Sequence, residues 1–519
     1  MPEGEAIIIG AGIGGLASAA LLAARGVPVT VCEAQAKPGG KLREVMAGGQ
    51  AIDGGPTVFT MRDVFDELFF AAGARLEDEV PMQRAELLAR HAWGADRLDL
   101  YANLDRSIAA VRDFAGAREA EGFRRFMAEA AHIHATLDRP FLRATKTNPI
   151  GLTWRMGIKG FADLNSIRPY QTLWSALGDH FCDSRLKQLF GRYATYAGSS
   201  PFRCPATLML IAHVEASGVW LVDGGMHRLA QALERVATRH GARFRYDAPV
   251  AEILVERGRA AGIRLASGER LNASQIICNA DPAALGAGHF GTAVRRATGA
   301  TRPRDRSLSA LVWTAVVRPS GFPLVRHNVF FSTDYAAEFA ALCAGRLPDD
   351  PTIYVCAQDR DDLGQGAPDA GERVQIIMNA PAGGDAATPT QAEIDRWTDR
   401  MLATLARSGL ALNLSPAQSV LTTPTGFNAL FPQTGGALYG RASHGWAASF
   451  RRPGARTRIP GLYLAGGGTH PGAGVPMAAL SGRLAASAVL RDRASTSAST
   501  RKAMPGGIST PSAMTDAMG

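Results

Sequence analysis

Short all-apolar runs, each closed by glycine and followed by an alanine- and leucine-rich stretch of helical length, mark the two ends of the chain. Ala6–Ile9 reads AIII, the pattern of a strand buried on both faces. Residues 16–25 then form an Ala/Leu-rich helix that stops at Gly26, and 27–32 make a second strand. From 62 to about 217 the pattern is mainly helical, clearest at 119–134 and 184–196. A helix at 225–240 carries Leu229, Leu233 and Val236 on one face. Strands follow at 244–246, 250–255 and 261–265, with Gly268 in a turn, and Gln275–Cys278 is another buried strand. Segment 308–430 mixes strands (308–317, 327–332, 374–378) with one helix at 391–408. A strand at 461–465, a glycine loop and a helix at 477–490 end the patterned part. Beyond Arg493 the chain is rich in Ser, Thr, Ala and Gly and is expected to be disordered.

This order predicts an α/β protein whose nucleotide-binding unit is assembled from 1–75, 217–290 and 440–493. A mainly helical region at 76–216 and an α+β substrate region at 291–439 are inserted between those pieces, and 494–519 is the tail. A length of 519 residues also requires more than one core.

Composition narrows the function classes. The net charge is +9, but the arginines are scattered and no basic block is interleaved with aromatics, so nucleic-acid binding is not expected. Attraction to an anionic membrane surface fits the charge better. Six cysteines lie far apart with no CxxC pair, which predicts neither a metal site nor a disulfide framework. Residues 1–5 lead straight into the first strand with no basic and apolar leader, and no run of about 18 apolar residues occurs. The expectation is a cytoplasmic chain lying peripherally on the inner membrane.

Gly10-Ala11-Gly12-Ile13-Gly14-Gly15 follows a strand and opens a helix. Gly10 permits the tight turn, Gly12 lets backbone approach a pyrophosphate, and Gly15 allows close helix–strand packing, with the helix N-terminus facing the phosphates. Glu33, at the end of the second strand, is placed to accept hydrogen bonds from ribose hydroxyls. Three features favour FAD over NAD. The motif begins at once; Gly39-Gly40-Lys41 adds a second glycine turn with a cation for phosphate; and Gly466-Gly467-Gly468-Thr469-His470-Pro471-Gly472-Ala473-Gly474 precedes another helix, whose N-terminus suits the partial negative charge of a reduced flavin.

These residues, with Asp53-Gly54-Gly55-Pro56-Thr57, Gly218-Val219-Trp220, Gly224-Gly225-Met226 and 466–477, resemble the bacterial carotenoid (phytoene-type) desaturases of the FAD-dependent amine oxidase-like superfamily over residues 5–490. Stretches 205–215, 327–332 and 476–482 are most similar to hydroxyneurosporene (1-hydroxycarotenoid 3,4-) desaturases. Met477, where phytoene desaturases usually have Gly, and Gly466-Gly467-Gly468, where they tend to have Gly-Ala-Gly, depart from the phytoene pattern. The resemblance implies a Rossmann-type FAD domain beside a long apolar tunnel. FAD contacts are then expected at Gly10, Gly12, Gly14, Gly15, Glu33, Gly40, Lys41, Gly55, Pro56, Thr57, Val250 (through its backbone), Gly467, Val475 and Met477.

Desaturation beside a polyene needs hydride loss to flavin and proton loss from the neighbouring carbon, so the protein supplies orientation and a modest base. Asp163 is the first candidate, by position in the resemblance. His213 and Glu215 are others, in an apolar run (208–222) that is itself a candidate tunnel lining or membrane-facing patch. The substrate expected is an acyclic 1-hydroxycarotenoid desaturated at C3–C4. Phytoene or neurosporene desaturation is the alternative within the class. A flavin amine oxidase would need an aromatic cage, and no aromatics cluster around 466–474 in the sequence. A flavoprotein escort without turnover is the non-enzymatic alternative.

Overall fold

The computed structural model describes residues 4–157 and 160–502, with side chains except at 161–163 and 496–502. Its first unit is built on a five-stranded parallel sheet ordered Leu462–Leu464, Gln275–Cys278, Ala6–Ile9, Val29–Cys32, Arg243–Arg245. Three widely separated stretches of chain supply these strands. Because strand side chains alternate faces, Ile8 enters one core and Ile7 and Ile9 another. On the Ile8 face lie three helices, Ile13–Ala23, His227–Arg239 and Val475–Lys502. The first of these is buried at every position, which its composition permits: every residue but Ser18 is apolar or glycine, and Ser18 Oγ is hydrogen-bonded. On the other face an antiparallel three-stranded sheet (Val250–Glu256, Arg259–Leu265, Arg270–Asn272) covers Ile276 and Leu464.

Helices Ile13–Ala23 and Val475–Lys502 touch backbone to backbone. Ser18 Oγ donates to the carbonyls of Gly14 (2.8 Å) and Gly482 (3.0 Å), and a Cβ at Gly482 would lie 2.2 Å from Gly14 O. This crossing fixes the N-terminal ends of both helices side by side.

The second unit is a seven-stranded mixed sheet, ordered Ser419–Thr422, Ser309–Val317, Glu372–Ala380, Ile353–Ala357, His327–Phe330, Leu87–Trp93, Asp96–Tyr101. Helices from 104 to 217 pack on it around Phe126, Phe181, Phe190 and Leu173. Residues 76–216 are mainly helical, as expected, but the start of this region also supplies the last two strands of the sheet. Leu87–Trp93 pairs in parallel with His327–Phe330 (Asn328↔Arg90, Val329↔His91), and this long-range partner decides the conformation of a run without clear helical or strand period. Residues 494–502, expected to be disordered, continue the C-terminal helix. Extending an existing helix through Ala and Ser costs little, and Arg493 at the junction donates to Gly4 O (2.9 Å) and Gln275 Oε1 (2.7 Å). Among the described residues no helix is long and apolar enough to cross a membrane, and no group of His, Cys, Asp or Glu could hold a metal ion.

Candidate flavin site

Three glycine turns converge at the C-terminal edge of the parallel sheet. Gly10 turns with φ +93°, and a Cβ on Gly15 would sit 2.1 Å from Gly10 O, so the helix can begin this close to the strand only without a side chain there. Gly39 N–H donates to Ala11 O (2.8 Å), laying the 39–40 turn on the first loop. A Cβ on Gly14 would fall 2.6 Å from Gly466 N, which brings in the third loop. Gly15→Ala is therefore expected to destabilise the fold by about 1–3 kcal/mol and to lower flavin content, read from the urea midpoint and the flavin-to-protein absorbance ratio. An unchanged midpoint would contradict this packing.

Asn279 sits among the three loops. It follows strand Gln275–Cys278, donates from Nδ2 to Gly10 O (3.3 Å), and lies against Gly12, Gly14 and Gly466. Sequence reading passed over it; the available signal was a strand ending in Asn-Ala-Asp-Pro, a third strand-to-helix turn. Two residues on, Asp281 caps helix Pro282–Ala287 through Oδ1 (Ala283 N, 2.9 Å). Its Oδ2 is buried without a partner, beside Gly440 and Gly468. Buried Arg452 donates to the carbonyls of Tyr439 and Gly467 (3.0 Å each), and burial pushes its guanidinium down to about 10.

Glu33 is buried at the end of the second strand, where its carboxylate accepts from Ala11 N–H (2.6 Å) and Gln35 N–H (2.9 Å). Its carbonyl accepts from Ala248 N–H (2.9 Å), which brings the start of strand Val250–Glu256, and so Val250, next to it. Lys41 is enclosed, donates from Nζ to Leu438 O (2.6 Å) and lies 5.2 Å over the Phe431 ring; burial lowers its pKa while Asp281 opposes the shift. Gly55 packs on Lys41, since a Cβ there would lie 1.9 Å from Lys41 O. Asp53 joins two of the quoted motifs, because its carboxylate accepts from Met226 N–H (2.6 Å) and His227 N–H (3.2 Å) at the start of helix His227–Arg239.

Segment 53–57 then meets the large sheet. Gln375 Nε2 donates to Gly55 O (2.8 Å), and Thr57 Oγ1 bonds Tyr354 OH (2.7 Å). Met477 packs against both the nucleotide core and the helical core, with Val475 two residues before it at the start of the C-terminal helix. The loops that carry Gly10–Gly15, Gly39–Lys41 and Gly466–Gly468 thus meet at the sheet edge, and segment 53–57 and Met477 lie where the nucleotide unit meets the second unit. A chain of hydroxyls and phosphates with a flat ring fits the path between them. The glycine turns leave backbone bare, Glu33 can receive ribose hydroxyls, and the partnerless Asp281 oxygen can receive a further one.

The catalytic candidates separate. The Asp163 side chain lies outside the described residues. His213 and Glu215 sit two positions apart on helix Leu210–Ser217, about 200° around its axis. His213 turns to Ser217 (3.3 Å) and the His134 ring (5.1 Å), and burial lowers its pKa. Glu215 is 6% exposed and faces a small internal pocket, accepting from Tyr193 OH (2.7 Å) and Tyr196 OH (2.8 Å). Burial raises the Glu215 pKa against those hydrogen bonds and the charge of Arg192. Each of its oxygens accepts one tyrosine hydroxyl, so Glu215 anchors Tyr193 and Tyr196.

Two further expectations change. Within 208–222, Leu208, Leu210 and Ile211 pack on the helical core and Trp220 lies against Phe59, so the segment is not an open patch. The fold also brings Phe141 and Phe450 toward the third loop, with Phe141 edge-on to His470 (4.9 Å). A polar cleft of about 320 Å³ opens behind Asp53, but its lining cations are largely paired (Arg360–Glu372 2.7 Å, Arg373–Asp359 2.5 Å), a surface unsuited to a polyene.

Residues 13–490 match the family model for flavin-containing amine oxidoreductases, and the chain belongs to that family: it is a flavin-dependent oxidoreductase. It is 50% identical to the hydroxyneurosporene desaturase of Rubrivivax gelatinosus, over 99% of this chain and 98% of that one. The hydroxyneurosporene desaturase of Cereibacter sphaeroides is 47% identical over 95% and 99%. Among solved structures, an oxidoreductase from Methanosarcina mazei superposes with a TM-score of 0.60 at 17% identity, covering 94% of this chain and all of that one, a likeness of fold.

Proposed function

We propose that the chain is an FAD-dependent desaturase that forms the C3–C4 double bond of acyclic 1-hydroxycarotenoids. The observation that carries this reading is a buried polar pocket, holding Glu215, Tyr193 and Tyr354, set where an apolar helical core meets the flavin path. The 50% identity with a hydroxyneurosporene desaturase supports the same substrate class. FAD rather than FMN is favoured because a buried carboxylate, Glu33, stands at the end of the second strand beside the first glycine turn, the position at which a dinucleotide fold receives ribose hydroxyls.

Bound flavin would accept the hydride; the polyene delocalises the developing positive charge. The chain's residues orient and exclude water. Thr57, held by Tyr354, and Met477, packed against both cores, would support the reacting bond. In a host that accumulates 1-hydroxyneurosporene, expression of this chain is expected to give a pigment two hydrogens lighter and absorbing further to the red. A pigment profile identical with and without the chain overturns the reading.

A substrate dissolved in lipid requires a membrane contact, and helix Pro149–Met156 supplies its apolar element. Ile150 and Trp154, one turn apart, are 72% and 83% exposed, and Lys146 and Arg155 flank them. The chain is expected to sediment with anionic liposomes, and Ile150→Ser/Trp154→Ser to reduce the bound fraction severalfold while flavin content stays unchanged. Equal sedimentation of variant and wild type would remove this helix from the contact.

A further inference from the structure

Desaturation at C3–C4 places the carbon that bears the hydroxyl, C1, two bonds from C3, and the hydroxyl oxygen three. Whatever reads that hydroxyl must therefore stand beside the reacting bond, within a few ångströms of the flavin path. The pocket under Glu215 meets this condition. It holds about 20 Å³, room for one water-sized group and no more. Tyr354 OH bonds Thr57 Oγ1 on one side and His327 Nδ1 on the other, both at 2.7 Å. Thr57 belongs to the 53–57 segment on the flavin path, and Met477 packs on the same core as Tyr354, Tyr193 and Val329.

His327 lines this pocket at 2% exposure, and its Nε2 is buried with no hydrogen-bond partner. The groups facing it leave Nε2 unclaimed. Glu215 accepts from two tyrosine hydroxyls, and Arg192 is stacked over Tyr196 and Tyr354 at 5.6 and 5.4 Å. Burial, with Arg326 and Arg192 nearby, pushes the His327 imidazole down to about 3, so it is neutral at physiological pH. A neutral ring whose Nδ1 is engaged has one hydrogen bond left to make at Nε2, as donor or acceptor according to tautomer. A buried polar atom without a partner costs about 1–3 kcal/mol, which an incoming hydroxyl would recover and a hydrocarbon would not.

Resting on the desaturase reading above, we propose that His327 Nε2 is the specificity-determining contact for the substrate's tertiary hydroxyl. Tyr354 and Thr57 orient the ring, and the Glu215–Tyr193–Tyr196 cluster forms the rigid wall opposite. The tunnel end is thereby keyed to a hydroxylated terminus rather than to chain length alone.

The test measures kcat/KM for 1-hydroxyneurosporene and for neurosporene with wild-type protein, His327→Leu, His327→Gln and Tyr354→Phe, each checked for flavin content. In His327→Leu the preference for the hydroxylated substrate should fall about ten- to hundredfold, mostly through loss of the hydroxylated substrate's rate. His327→Gln, which can still offer one hydrogen bond, should regain part of the preference. A merely structural role would lower both substrates equally and leave the ratio unchanged, and that result overturns the assignment. If His327→Leu fails to hold flavin, Tyr354→Phe decides: a reduced ratio supports the assignment and an unchanged one overturns it. Should the wild type itself ignore the hydroxyl, the functional reading falls and this inference with it. If the wild type discriminates and the variants discriminate equally, this inference alone falls.

Discussion

Glu33→Arg is expected to yield protein without flavin absorption. The wild-type carboxylate is buried and receives two backbone N–H groups, from Ala11 at 2.6 Å and Gln35 at 2.9 Å. Arginine offers those donors no acceptor, places a cation against them and extends into the space a ribose must occupy. Each hydrogen bond to a charged group is worth about 1.5–3 kcal/mol, and about 3 kcal/mol already corresponds to more than a hundredfold in affinity. Glu33→Gln keeps one acceptor oxygen and the side-chain shape, so it should bind flavin weakly rather than not at all. That contrast separates loss of binding from loss of fold. Stoichiometric FAD in purified Glu33→Arg would mean that the ribose lies elsewhere.

The parts of this site that could be read from sequence are those where backbone geometry leaves one residue type possible. Gly15 against Gly10 O, the 39–40 turn and the 466–468 loop are such places, and Glu33 follows from the strand that ends there. Asn279 was hidden because its role depends on three loops hundreds of residues apart meeting at its side chain. The pocket was half visible. Glu215 stood out as a polar residue in an apolar run, but its partners Tyr193 and Tyr196 come from a 3₁₀ turn, and Tyr354, the partner of His327, from a strand, Ile353–Ala357, that local pattern did not reveal. His213 looked equivalent to Glu215 until helical geometry set the two on different faces. Strand Leu87–Trp93 was missed because it pairs with His327–Phe330, more than two hundred residues away, and Asp96–Tyr101 is the edge strand that pairs back onto it.

The second large effect concerns substrate choice. A site with a single polar slot in an apolar wall rejects a substrate that leaves its polar groups unpaired, and such rejection exceeds what one methylene more or less can produce. The slot here holds about 20 Å³ beside segment 53–57 and contains a partnerless imidazole nitrogen. The 1-hydroxylated end should therefore be accepted, and the hydrocarbon ends of phytoene rejected by at least about a hundredfold in kcat/KM. Phytoene also lacks the extended polyene that would spread the charge developing at C4, so its chemical step should be slower as well.

The most direct test is turnover by purified, flavin-loaded protein in liposomes, with 1-hydroxyneurosporene and phytoene supplied separately and the products resolved by mass and absorption. The account predicts a single product from 1-hydroxyneurosporene, two hydrogens lighter and one conjugated double bond longer, and almost none from phytoene. Efficient stepwise conversion of phytoene to lycopene, with 1-hydroxyneurosporene left unchanged, would contradict it.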